Sequence, residues 1–148
     1  MDEVEKFLNV IAEIESSGGQ NFDHPEIKEG IHQGHRAAGR YGLMPNTVQE
    51  LTKRAERRGQ ATDAMRSIAS IEDPVVMKQA LEENPEIEQT YARQLAEKVL
   101  RRQGDPEKAA YTWFSGHNLS PDEVAKRNYL ESDYVKKFQA LRNKLSGR

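Results

Sequence analysis

Two short stretches combine a carboxylate, hydroxyls, glycines and an aromatic residue in a way that could support acid–base chemistry on a polymer. Residues 14–19 read IESSGG, and residues 39–45 read GRYGLMP. The first stretch ends an apolar-striped helix at Glu15, where packing beside Ile11 and Ile14 would desolvate the carboxyl. Desolvation favours the protonated carboxyl, which a general acid working near neutral pH needs. The alternative is a solvated surface glutamate, as most glutamates of this chain must be.

Four short motifs follow one another in an order that spans nearly the whole chain. They are ESSG at residues 15–18, GLMPNT at residues 42–47, AYT at residues 110–112 and YV at residues 134–135. The ordered set resembles the lysozyme-like lytic transglycosylases (SLT-type and goose-type lysozyme-like domains), which cut the glycan strands of peptidoglycan. Two family positions differ here, since a glutamine after the methionine is absent and Thr112 replaces an asparagine.

The resemblance implies a role for each matching residue. Glu15 would be the catalytic acid and base, with Ser16 beside it to orient the carboxyl or the substrate. Gly42, Leu43 and Met44 would shape a groove next to the scissile bond, and Tyr111 and Tyr134 would line the site. We add three further candidates for substrate binding, which are Ser17, Tyr41 and Trp113.

Two neighbouring aromatic residues near the third motif have more than one interpretation. Trp113 could stack on sugar rings or fill the core, and the sequence favours neither. For Phe114 a place in the core is the better prediction.

The implied reaction cleaves the β-1,4 bond between N-acetylmuramic acid and N-acetylglucosamine and leaves a 1,6-anhydromuramic acid end. It needs no cofactor and no metal. One alternative is a hydrolytic muramidase in which Asp23, Glu26 or Glu29 supplies a second acid. Another is a non-catalytic glycan-binding module of a virion.

Three of the four histidines, His24, His32 and His35, lie in the polar segment between the first two motifs. His32 and His35 would share a face if that segment were helical. The spacing fits no zinc signature, so we predict polar loop histidines that contact glycan and no metal site.

Helices must position these residues, because three- and four-residue apolar spacing dominates the sequence. An apolar stripe from Val4 to Ile14 predicts a helix from about Asp2 to Ser16. Four further helices are predicted to start where a capping side chain precedes proline, at residues 73–74, 84–85, 105–106 and 120–121. We therefore predict an all-α or nearly all-α fold, a single lysozyme-like domain over residues 1–148 with a substrate groove. A small β-hairpin within residues 20–40 is also possible, because it would be too short to show sustained two-residue alternation.

Composition limits the kinds of partner and site that the chain can have. Its 148 residues carry a net charge of −2 and no cysteine, so neither disulfides nor thiolate metal sites can form. No apolar run approaches the roughly 20 residues of a membrane span. The basic residues within 53–58 and at 101–102 are predicted to lie in solvent at helix C-termini, where the helix dipole favours positive charge. The expected partner is a peptidoglycan glycan strand bound by a monomer, without membrane insertion; a helical nucleic-acid-binding module is the less favoured alternative.

The predicted place of action is the bacterial cell wall. The N-terminus lacks the basic and apolar regions of a secretory signal peptide. We therefore expect a phage endolysin released from the host cytoplasm, a virion-carried enzyme, or a domain cut from a secreted parent.

Overall fold

The computed structural model describes residues 2–18 and 38–146. These residues are almost wholly helical, which confirms the all-α prediction for this part of the chain. Eight α-helices and one short 3₁₀-helix occur in the described residues: α1 (Glu3–Ser16), α2 (Pro45–Arg57), α3 (Asp63–Ala69), α4 (Pro74–Glu83), α5 (Pro85–Gln103), α6 (Pro106–Ser115), α7 (Pro121–Lys126), the 3₁₀-helix (Tyr129–Glu131) and α8 (Asp133–Ser146). Most of the segment in which we allowed a β-hairpin lies outside the described residues.

All four predicted starts are confirmed, and three of the predicted side chains cap their helices; the Asn84 side-chain amide instead donates to the Ala80 carbonyl of α4. The Asp73 carboxylate accepts the amide of Val75, and the Ser120 hydroxyl accepts the amide of Glu123. Asp105 accepts two amides at the start of α6. In each case a proline follows the cap, where its missing N–H costs nothing.

The chain forms two compact units. Residues Glu15–Ala92 make one, which we call the motif unit because it contains the first two motifs. Met1–Ile14 and Arg93–Arg148 make the other, which we call the terminal unit. Both α1 and α5 contribute residues to each unit. The prediction of a single domain stays a prediction.

The motif unit is organised by mutual contacts among α2, α3 and α4. Its core is apolar, and Tyr91 of α5 is a fully buried polar member of it. The Tyr91 hydroxyl donates to the Met65 carbonyl at 3.0 Å and lies 2.7 Å from the Thr52 hydroxyl. One phenol thus connects α5 with both α2 and α3. The buried side chains around it include Val48, Leu51, Ile68, Met77 and Leu81.

The terminal unit packs α6 against α8, with α7 and the 3₁₀-helix alongside α6. The ring centroid of Phe7 in α1 lies 5.6 Å from that of Phe138 and 5.8 Å from that of Trp113, the latter pair in an edge-to-face arrangement. These contacts close an aromatic core in which Phe138 and Val135 are almost fully buried. In neither unit is any described helix both long enough and apolar enough to cross a bilayer.

Candidate functional site

Glu15 occupies the last turn of α1, one residue before the helix ends at Ser16. The chain turns away at once, because Ser17 (φ 53°) and Gly18 (φ 73°) both adopt left-handed backbone conformations. A helix that ends this way leaves the preceding side chain beside the turn rather than under a further helical turn. Glu15 is accordingly only partly buried.

Residues 38–43 form a tight turn immediately before α2, and we call it the 38–43 turn. Ala38 and Leu43 close it with two backbone hydrogen bonds, of 2.7 and 3.0 Å. Gly39 (φ +65°) and Gly42 (φ +66°) both take left-handed conformations, which cost other L-residues roughly 1–2 kcal/mol each. The two glycines therefore let the chain reverse within six residues.

The carboxyl of Glu15 lies directly against Gly42. A methyl group added to the Gly42 Cα would stand 2.6 Å from Glu15 Oε2 and 3.0 Å from Oε1. Only a hydrogen fits there while the carboxyl keeps its place. Two features therefore favour glycine at position 42, the left-handed backbone conformation and the carboxyl beside it.

The residues that follow Glu15 have different environments. Ser16 is buried, and its hydroxyl donates a 2.6 Å hydrogen bond to the Arg40 carbonyl, which fastens the end of α1 to the 38–43 turn. Ser17 is exposed. We predicted that Ser16 orients the carboxyl or the substrate; its observed contact is with the turn that carries Gly42.

Two predicted substrate-binding residues of the second motif are buried. Tyr41 is 4% exposed and Leu43 1% exposed, so both side chains pack inside the motif unit. Their predicted roles at a substrate groove stay predictions. Burial raises the pKa of the Tyr41 phenol, with the Arg40 guanidinium opposing the shift and Glu88 adding to it. Gly42 and Met44 are partly exposed and remain candidates for substrate contact.

A second carboxyl, not singled out from the sequence, lies against the other glycine of the turn. Glu88 of α5 is 2% exposed, and a methyl group on Gly39 would stand 2.0 Å from its Oε2. Burial raises its pKa to about 7, opposed by hydrogen bonds from the Arg40 and Tyr41 backbone amides. The sequence did contain a signal, because Glu88 precedes Tyr91 by three residues and so falls on the buried stripe of α5.

The remaining aromatic candidates belong to the terminal unit. Tyr111 and Trp113 are partly exposed on α6, and the edge of Trp113 contacts the core residue Phe7. Phe114 is 65% exposed and stacks on Tyr134 with the ring centroids 5.1 Å apart. The prediction that Phe114 fills the core is wrong, because its ring covers the Tyr134 ring at the surface. A place for Tyr111, Trp113 and Tyr134 beside Glu15 stays a prediction.

The described residues contain no cluster of three or more metal-binding side chains. His24, His32 and His35 lie outside the described residues, as do the acids Asp23, Glu26 and Glu29. Nothing in the described site therefore bears on their predicted roles.

The arrangement around Glu15 can hold and return a proton. Glu15 is partly exposed at a helix end, its carboxyl lies against Gly42, and the next residue is hydrogen-bonded to the 38–43 turn. A substrate oxygen could approach it over Gly42, since no side chain stands at that Cα. Comparison with models of protein families, with curated proteins and with solved structures found no match.

Proposed function

We propose that this protein is a peptidoglycan lytic transglycosylase in which Glu15 acts first as general acid and then as general base. The observation that carries the proposal is the contact of the Glu15 carboxyl with Gly42. These residues are 27 positions apart and belong to the two motifs that the resemblance places around the scissile bond.

In the proposed reaction the Glu15 carboxyl first donates a proton and then takes one back. Glu15 protonates the bridging oxygen as the glycosidic bond breaks and positive charge develops on the muramic acid ring. The acetamido group of the substrate stabilises that charge in place of a second enzyme carboxylate. The Glu15 carboxylate then takes the proton of the C6 hydroxyl, whose oxygen closes onto C1. The products are a 1,6-anhydro end and a free sugar end, and no water is consumed.

The test is mass spectrometry of purified peptidoglycan digested with the protein. We expect muropeptides that end in 1,6-anhydromuramic acid, one water lighter than the products of hydrolysis. Digestion in ¹⁸O-labelled water should leave these ends unlabelled. Labelled reducing ends without anhydro product would contradict the transglycosylase reaction and favour the hydrolase, with Asp23, Glu26 or Glu29 as the next residues to replace.

The role of Glu15 is tested by Glu15→Gln. The amide keeps the shape of the side chain but cannot donate and recover the proton, a role worth roughly 10²–10⁴-fold in rate. Glu13→Gln is the matched control, because Glu13 is an exposed residue of the same helix. Glycan binding without cleavage by the unmodified protein would instead identify a glycan-binding module, and equal clearing of cell walls by Glu15→Gln would remove Glu15 from the mechanism.

A further inference from the structure

Glu88 is a buried carboxyl that the proposed reaction does not use. It lies in the first turn of α5, and its carboxyl contacts the 38–43 turn, as the Glu15 carboxyl does. One carboxyl occupies the space where Gly39 has no side chain, and the other occupies the corresponding space at Gly42. The 38–43 turn is therefore bounded by two glutamates from two different helices.

The contacts of Glu88 restrain the backbone of this turn. The Glu88 carboxyl lies against the Gly39 backbone, and the amides of Arg40 and Tyr41 lower its pKa against the larger effect of burial. On the opposite side of residue 40, the carbonyl accepts the Ser16 hydroxyl at 2.6 Å. Two neighbouring residues of the turn are thus contacted from two helices, Gly39 by Glu88 of α5 and Arg40 by Ser16 at the end of α1, next to Glu15.

The surroundings of Glu88 define what its carboxyl can do. Among the described residues, its Oε2 is buried and has no hydrogen-bond partner. The charged groups that act on it are Arg40, which favours the ionised form, and Glu82, which opposes it. Glu82 is itself paired with Lys78 and accepts the Gly39 amide at 3.3 Å. The Glu88 carboxyl is therefore a buried acceptor beside the turn, and its burial favours the uncharged form.

We propose that Glu88 is a positioning residue that fixes the 38–43 turn through its backbone amides, so that Gly42 keeps the Glu15 carboxyl in its reactive place. The link to a reaction rests on the proposed function, whereas the link between Glu88 and the position of Glu15 does not. A glutamine at position 88 retains the acceptor oxygen, and a methionine retains the length and volume without it.

The first experiment measures the geometry without any substrate. In ¹³C-labelled protein, the nuclear Overhauser effect between the Glu15 side chain and the Gly42 α-protons reports their contact. We expect it in the unmodified protein and in Glu88→Gln, and we expect its loss in Glu88→Met. Glu86→Met, an exposed position on the same helix, is the control and should retain it. A contact that persists in a folded Glu88→Met variant would overturn the proposal.

The second experiment measures glycan cleavage by the same variants. Misplacement of the acid should lower kcat of Glu88→Met on the order of 10²-fold with little change in KM, and Glu88→Gln should restore most of kcat. A merely structural role would predict that Glu88→Met, once folded, keeps the kcat of the unmodified protein. If the unmodified protein cleaves no glycan, the proposed function fails and the Overhauser result still decides the positioning role.

A third measurement needs no substitution and covers the case in which Glu88→Met does not fold. The amide resonances of Arg40 and Tyr41 should shift with pH at the same midpoint as the Glu88 carboxyl carbon. These shifts should be absent in Glu88→Gln. Amides that do not follow the Glu88 titration in the unmodified protein would show that its carboxyl does not hold the turn, and the proposal would be overturned.

Discussion

At the scale of single residues, the candidate site depends on two glycines as much as on the two glutamates beside them. Gly42 leaves room for the Glu15 carboxyl, and Gly39 leaves room for the Glu88 carboxyl. Both glycines also have left-handed backbone conformations, so a substitution at either position combines backbone strain with a steric clash. These two effects can be separated, because other glycines of the chain have the conformation without the neighbour.

Gly42→Ala should abolish most activity at a modest cost in stability. The new methyl group would overlap the end of the Glu15 side chain, which can rotate away and thereby lose its reactive position. We expect a loss of roughly 10²–10⁴-fold in the rate of glycan cleavage. The backbone conformation should cost about 1–2 kcal/mol in the free energy of unfolding. Cell-wall clearing and urea unfolding measure the two effects.

Gly59→Ala is the matched control for this substitution. Gly59 has nearly the same φ of +68°, and an added methyl group would meet nothing within 4 Å. It should lose similar stability and keep full activity. Equal activity in the two variants would mean that the Glu15 carboxyl does not need its place against Gly42.

At the scale of elements, α5 organises the motif unit through two buried polar residues in its first half. The Glu88 carboxyl contacts Gly39 of the 38–43 turn, and Tyr91, three residues later, reaches the Met65 carbonyl and the Thr52 hydroxyl. Because residues three apart share a helix face, one side of α5 contacts the turn, α2 and α3. One face of α5 thus contacts both the turn and the helices behind it.

Tyr91→Phe should destabilise the protein without changing the chemistry of the site. It removes the hydroxyl that joins α5 to α2 and α3 from a fully buried position, which typically costs about 1–3 kcal/mol. Urea unfolding measures this loss. Tyr111→Phe is the control, because Tyr111 is partly exposed on α6 and should change the free energy of unfolding by less than about 0.5 kcal/mol. Equal stabilities of the two variants would contradict the structural role of the Tyr91 hydroxyl.

At the scale of the whole molecule, the pH dependence of stability should have two separate origins. The pKa values of Asp2 and Glu123 are lowered, chiefly by backbone amides that donate to their carboxylates. Such groups stabilise the fold above their unfolded pKa and lose that contribution only in acid. Glu88 is shifted in the opposite direction, so its effect on stability falls in a different range of pH.

The free energy of unfolding should fall as pH rises from about 4.5 to about 7 because of Glu88. In this range the folded protein keeps the Glu88 proton that the unfolded chain releases, so the folded state binds more protons and loses relative stability as pH rises. The full effect is roughly 3 kcal/mol. Urea unfolding at a series of pH values measures it.

Glu88→Gln isolates this contribution from those of the other titrating groups. The difference between the unfolding free energies of Glu88→Gln and the unmodified protein should grow with pH and level off above the Glu88 pKa. A difference that stays constant across the range would show that Glu88 has an ordinary pKa in the folded protein.

The sequence by itself determined the helices of this protein, because their signals are local. Asp73, Asp105 and Ser120 each precede a proline and cap a helix, and apolar spacing of three and four residues marks the buried side of α1 and α5. Glycine stops at residues 59, 104 and 116 follow from the same local rules. The choice of Glu15 as the chemical group also came from the sequence, through the order of the motifs.

The tertiary structure decided which groups meet, because that depends on contacts between distant residues. No local rule pairs Glu15 with Gly42, or Glu88 with Gly39, since each pair belongs to elements separated along the chain. The same limit explains Phe114, which has the composition of a core residue but lies at the surface over Tyr134. The burial of Tyr41 and Leu43 likewise depends on packing between distant residues. Local sequence sets where helices begin and end, whereas the packing of the helices decides which residues are buried and which stay exposed to solvent.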